Sequence, residues 1–187
     1  MESKGIVRRV DELGRIVLPR EMRKSLNVRV GTKLEIGIVD GNKFLLTKYS
    51  DMVSLKEYSD AVANAISVSI EHDVLIADME KVLSANKKKY INKEFTEEVQ
   101  ELIYKKEIVI KKFDDGSDML EFFSGSGKDF SCQLIVPIIK DGDAIGAIII
   151  LAMENKCFDD SSIKICKAFS KYLSDQISWF WLNFIQA

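Results

Sequence analysis

The sequence predicts an α+β protein in two parts: a small β-rich head over residues 1–50 and a larger mixed domain over 54–187. Three observations predict it. In the head, short runs of Ile, Val and Leu are broken by glycine-centred turn signals, as in strands. From Ser54 the period changes, with Leu55, Tyr58, Val62, Ile66 and Ile70 falling at helical spacing. The charge changes as well. Residues 1–49 hold eleven Lys or Arg against six Asp or Glu, a net of +5, whereas the whole chain is −2 and the remainder therefore −7. A basic head on an acidic body is the asymmetry of a nucleic-acid reader joined to something else.

Residues 5–12 and 14–18 read as two short strands around Gly14. Pro19 sits where a helix can begin, because its missing N–H is an orphan there anyway, and residues 20–26 make about two turns. Glu21, in the first turn, suits the helix dipole better than it suits DNA. Strands follow at 33–39 and 43–48 around Asp40-Gly41, a favourable hairpin turn. A unit this small buries too little to stand alone, so the head is expected only as an interlocked dimer.

In the second part a helix runs from Ser54 to Glu71-His72. Residues 73–85 read as a hairpin turning near Met79-Glu80, 86–104 as a polar helix, 107–113 as a strand and 114–129 as a Gly/Ser/Asp loop. CQLIVPIIKDGDAIGAIIILAM is two apolar strands around 140–143. A last helix starts near Asp160, capped by Asp159 or Asp160, with Ile163, Cys166, Phe169, Leu173, Ile177, Phe180 and Phe184 along one stripe. The plan is one sheet with its helices grouped on a face.

At 47% hydrophobic and 30% charged, the composition is that of a soluble globular protein. The longest apolar run, AIGAIIILAM at 144–153, is too short to span a bilayer and suits a strand buried on both faces. The basic opening excludes a signal peptide. Cys132, Cys157 and Cys166, an odd count without CxxC, argue against a disulfide framework, and Cys132 and Cys166 read as inert packing residues. The expected setting is the cytoplasm, with no membrane partner. His72 is the one histidine of the sequence, too few for a His-based metal site or a triad to be read from its pattern. Gly125-Ser126-Gly127-Lys128 lacks the Ser or Thr and the upstream glycine of a P-loop. No metal, cofactor or catalytic residue is expected, and the protein reads as no enzyme.

The chemistry lies in the basic block GIVRRVDELGRIVLPREMRK, where Arg8, Arg9, Arg15, Arg20, Arg23 and Lys24 crowd into seventeen positions. Five of the six are arginine, whose planar fork bonds phosphate or the O6/N7 edge of guanine bidentately. In a dimer each appears twice, which matches the two strands of a duplex. Arg8, Arg15 and Arg23 rank first as contacts to double-stranded DNA. Arg20 and Lys24 suit flanking phosphates. Arg9, on the opposite strand face from Arg8, is placed to pair with Asp11 or Glu12 instead.

This block, with the strand-turn-strand KLEIGIVDGNKFLLTKY after it, resembles the AbrB-type swapped-hairpin DNA-binding family, in which two protomers exchange hairpins. The string from Pro137 to Ile148, with its P-I strand, tight turn and I-G strand, resembles GAF domains. Placed after such a head and beside SANKKKYINKEFTEEV, it makes nearly the whole chain similar to a family of sporulation regulators. That resemblance implies a DNA-binding transcriptional regulator, dimeric through its head and tetrameric through a GAF-like domain that oligomerises and can sense a small molecule. Residues 114–129 then read either as a lid over a ligand pocket or as a plain connection. Lys87-Lys88-Lys89 reads as a solvated run. Trp179, Phe180, Trp181 and Phe184 go more than halfway round a helix, wider than one core stripe needs, and point to contact with another copy. The rival readings are an antitoxin-like interaction protein, a GAF-type enzyme with redox chemistry at Cys132 and Cys166, and a GAF-like domain that is a ligand-free assembly module.

Overall fold

The computed structural model describes residues 5–26, 28–114, 116–126, 130–153 and 157–184, apart from the side chains of Ser54 and of 178–184. It divides into two units, Met1–Tyr49 and Ser50–Ala187.

In the first unit Pro19 opens helix α1 (Arg20–Ser25), and β1 (Leu34–Val39) pairs antiparallel with β2 (Lys43–Lys48). The hairpin turns through three residues, Asp40-Gly41-Asn42, between the paired Val39 and Lys43, with positive φ of 52° at Asp40 and 72° at Gly41. The strands expected over 5–12 and 14–18 are not formed. A strand exists through its ladder, and within one chain these segments have no β neighbour. Pro19 is the one buried residue of this unit among the described residues.

The second unit has a core on each side of one sheet. A 3-10 turn (Val53–Leu55) leads into α2 (Lys56–Ile70), which ends where Glu71 turns left-handed at φ 52°. Strands β3 (Asp73–Ala77) and β4 (Val82–Ala85) follow as the expected hairpin, its turn held by the Asp78 carboxylate, which accepts from the N–H groups of Glu80 and Lys81 at 2.8 Å each. After α3 (Glu97–Tyr104) come β5 (Val109–Lys112), β6 (Cys132–Lys140), β7 (Asp143–Ala152) and α4 (Asp160–Phe184). The sheet is antiparallel throughout, in the order β4-β3-β7-β6-β5. The apolar run is the central strand β7, buried from Ile145 to Ala152. Asp159 caps α4, accepting from the Ser162 N–H at 2.8 Å.

Three expectations need correction. The helix expected over 86–104 is confined to α3. Before it, the N–H of Asn92 bonds the Val82 carbonyl, the Val82 N–H bonds that of Lys93, and Lys81 bridges to Glu94. The free edge of β4 thus recruits this segment's backbone before a helix can. The helices are not all on one face: α2 and α4 share a face with Val62, Ile66, Leu134, Ile150 and Leu173 in one core, whereas α3 packs Val99 and Ile103 into the other. The cysteines are not all unpaired either. Cys132 and Cys157 are paired, with Cα atoms 5.5 Å apart: β7 ends at Ala152, opposite Cys132, and Cys157 follows five residues later.

Gly146 shows why the I-G position of β7 takes glycine. A Cβ there would lie 2.1 Å from the Ala77 carbonyl oxygen and 3.1 Å from Met52 Cγ. On the helix side the hydroxyls of Ser170 and Ser174, one turn apart, donate to the carbonyls of Pro137 and Ile139 at 2.8 and 2.6 Å. These bonds clamp α4 to β6 where the β6–β7 register shifts between Ile138 and Ile139.

Candidate nucleic-acid interface

The basic residues of the head are carried by a turn, a short helix and the chain between them. Asp11 builds the turn. Its carboxylate accepts from the N–H groups of Leu13 at 3.0 Å and Arg15 at 2.8 Å, while the Gly14 N–H bonds its carbonyl at 2.9 Å. Gly14 takes φ 75° to close the turn. The second carboxylate oxygen receives Arg15 Nε at 2.7 Å. The Arg15 N–H, and after it the Arg15 side chain, holds the Asp11 carboxyl below the usual carboxylate range. Asp11 therefore pairs with Arg15 and not with Arg9 as the sequence suggested. What sequence reasoning missed is that Asp11 is the turn former, and its signal was the glycine three residues on.

Arg15 nevertheless stays on the surface, its side chain 71% exposed. Arg20, Arg23 and Lys24 lie on α1, with Arg23 and Lys24 in its last turn, where cations favour the helix dipole. Arg8 and Arg9 lie in the chain before the turn. All six positions are exposed. Because no strand forms at 5–12, the face alternation used to separate Arg8 from Arg9 has no counterpart in the single chain. An exposed guanidinium needs no rearrangement to meet a phosphate, and an exposed ion pair such as Arg15–Asp11 holds it only weakly.

Beside these cations the head presents a large apolar area. Val7, Val10, Leu13, Ile16, Val17, Ile36, Ile38, Phe44 and Leu45 are all at least half exposed, Phe44 at 74%. That is far more than a stable monomer leaves in water.

In the second unit, the sheet face opposite α2 and α4 is filled by aromatic residues. Phe95 stacks on Phe123 at 5.7 Å and meets Phe122 edge-on at 6.4 Å, and Tyr90 lies 6.0 Å from Phe123, all four buried. The Tyr90 hydroxyl donates to the buried Asp73 at 2.7 Å, and Lys87 and Lys89 lie 2.5 and 4.0 Å from the same carboxylate. Burial first, and then Asp73, pushes the Tyr90 phenol up. The 114–129 loop is a packed cover rather than a free connection in its described part. The Gln133 amide clamps both backbone groups of Leu120 at 2.9 and 2.8 Å, and Thr96 bonds the carbonyls of Glu121 and Phe122. Outside this packing, a recess of about 330 Å³ is lined by Lys93, Glu94, Phe123, Ser124, Gly125 and Ser126. Lys87-Lys88-Lys89, read as a solvated run, partly serves as the counter-charge of Asp73. Gly127 and Lys128 of the P-loop-like stretch lie outside the described residues. So do the side chains of Trp179, Phe180, Trp181 and Phe184.

Known proteins match this chain over two stretches. The sequence profile described as Stage V sporulation protein T C-terminal, transcription factor, matches residues 54–178. Stage V sporulation protein T of Bacillus subtilis is 32% identical over 157 residues, 82% of this chain and 86% of the relative. The chain belongs to the stage V sporulation protein T family. Residues 7–53 match the profile for antidote-toxin recognition MazE, bacterial antitoxin. Over 49 residues, 26% of this chain and 50% of the relative, the chain is 53% identical to the transition state regulatory protein AbrB of the same organism. Among solved structures, the GAF domain of an Acinetobacter phosphoenolpyruvate-protein phosphotransferase covers 71% of this chain and 84% of its own, at 14% identity and TM-score 0.55. The phycoerythrobilin-bound GAF domain of a cyanobacterial phytochrome covers 71% and 92%, at 12% and 0.56. The two GAF domains share the fold of the second unit. Members of this family are regulators of sporulation transcription, and this chain is a DNA-binding regulator with an AbrB-like head and a GAF-like domain. Among the described residues no helix is long and apolar enough to cross a membrane.

Proposed function

We propose that the head binds duplex DNA as an intertwined pair, with Arg8, Arg15 and Arg23 as principal contacts and Arg9, Arg20 and Lys24 on flanking phosphates. The observation that carries this reading is the coincidence, in one unit, of six exposed cations with an apolar surface that one chain cannot bury. A second copy would cover the apolar surface, supply ladder partners to residues 5–18 and set two arginine clusters side by side. Binding so built is electrostatic and involves no catalytic step. The protein works in the cytoplasm, where its DNA is.

The second unit joins two such pairs into a tetramer. The outer flanks of α2 and α4 support this: Tyr58, Ile165, Phe169 and Tyr172 are only partly covered, with Phe169 and Tyr172 edge to face at 6.5 Å. The phenylalanines packed on the other sheet face favour an assembly module over a small-molecule sensor. An antitoxin role fits less well, because the larger part of the chain is a folded domain with its own core on both sheet faces.

The test is a salt titration of DNA affinity for Arg15→Ala and Arg23→Ala against the unaltered protein. Removing one cation from a phosphate should lower the slope of log affinity against log salt by about one unit. Unchanged affinity and slope in both variants would remove the arginines from the interface.

A further inference from the structure

We infer that Cys132 and Cys157 form a reversible disulfide, made by a hydroperoxide and undone by thiols, that pins the connection before α4 to the start of β6. The pair is set by the fold around it. Cys132 lies in the core shared by α2 and α4, 1% exposed, opposite Ala152 in the register with β7. Cys157 is exposed, but its neighbour Phe158 is buried in that same core and Asp159 caps α4. These two anchors hold residue 157 with its Cα 5.5 Å from that of Cys132, at the most frequent separation for a disulfide. A bond there spans 25 residues and encloses the whole β6–β7 hairpin.

The two sulfurs differ in access, which assigns their roles. Cys157 faces solvent and meets the oxidant. Its thiolate attacks one peroxide oxygen, the O–O bond breaks, and the departing oxygen leaves as water or an alcohol, with a sulfenic acid on Cys157. Cys132 then attacks that sulfur as its thiolate, the S–O bond breaks, and hydroxide leaves as water once protonated. Two thiols lose two electrons and two protons, and the peroxide is reduced. The third cysteine takes no part: Cys166 lies buried on α4 and has no cysteine partner among the described residues. Exposure of one sulfur makes the bond accessible to exchange with thiols. This inference is independent of the DNA reading of the head.

The test treats the purified full chain with hydrogen peroxide, blocks remaining thiols by alkylation, and maps peptides without reduction. The expected result is a Cys132–Cys157 linked peptide, one alkylated cysteine at position 166, and recovery of three thiols in reduced glutathione. Oxidation should also raise the melting temperature by several degrees, and Cys166→Ser should behave as the unaltered protein does. Cys132→Ser and Cys157→Ser should each abolish both the linkage and the shift. Three free thiols after peroxide, linkage through Cys166 or between chains, or a bond that survives glutathione would each overturn the inference.

Discussion

The head and the GAF-like unit are both rich in apolar residues, yet they use them in opposite ways. In the second unit Leu75, Ile76, Leu134, Ile135 and Ile148 are wholly buried, because β7 has a sheet neighbour on each side and a layer above and below. In the head, Ile36, Ile38 and Phe44 alternate as strand residues should and remain 66–74% exposed. The difference teaches that a hydrophobic pattern specifies which face is to be buried, not which chain will bury it. One unit closes on itself, whereas the other is half of a structure.

Substitutions can sharpen that contrast. Phe122→Ala should have the largest effect, about 3–5 kcal/mol, because it opens a cavity in a face that Phe95 and Phe123 already pack. The matching change in the head, Phe44→Ala, removes a side chain that is 74% exposed in one chain. It should cost a similar amount only where a second copy covers it. Denaturant unfolding of both variants in the full chain checks the pair, and a neutral Phe44→Ala at high protein concentration would break the comparison.

Gly146→Ala should follow in size, about 1–3 kcal/mol, since the added Cβ collides with the Ala77 backbone between two central strands. Gly37→Ala in β1 meets nothing within 4 Å and should be mild unless a second copy lies against it. Thermal melts of the two variants give the ratio directly.

Smaller still is the cap of α4. Asp159→Ala should lower the denaturant midpoint slightly, through loss of the cap. Bonds from the Ser162 N–H and hydroxyl hold the Asp159 carboxyl below its ordinary value. Its contribution is thus complete above the ordinary Asp range and is lost only as pH falls through the lowered folded value. Asp159→Asn caps without titrating, so the stability gap between it and the unaltered protein should shift only in that acidic window. Asp11, lowered by Arg15, gives the head the same sign, but its carboxylate is exposed and the effect should be harder to detect.

Local signals were legible in the sequence. Asp40-Gly41 and Asp141-Gly142 turn where their residue types require positive φ, β7 announced itself by its unbroken apolar run, and α2 and α4 by their stripes. The six cations were legible as a group because charge density needs no fold. What was not legible depends on neighbours distant in sequence or on another chain. The Lys87 segment loses its helix to the edge of β4, and Cys157 meets Cys132 only after a hairpin closes. Residues 5–18 carry strand-forming side chains but no strand within one chain. Arg15 took Asp11 from Arg9 because an Asx turn brings residues 11 and 15 together, a geometry that alternation along a strand cannot express.

The central claim is that the head is complete only as a pair, and a fragment of residues 1–50 tests it most directly. Sedimentation equilibrium combined with thermal melts over a hundredfold range of concentration should give a dimeric mass and a melting temperature that rises with concentration. A folded monomer melting at one temperature throughout would contradict the account.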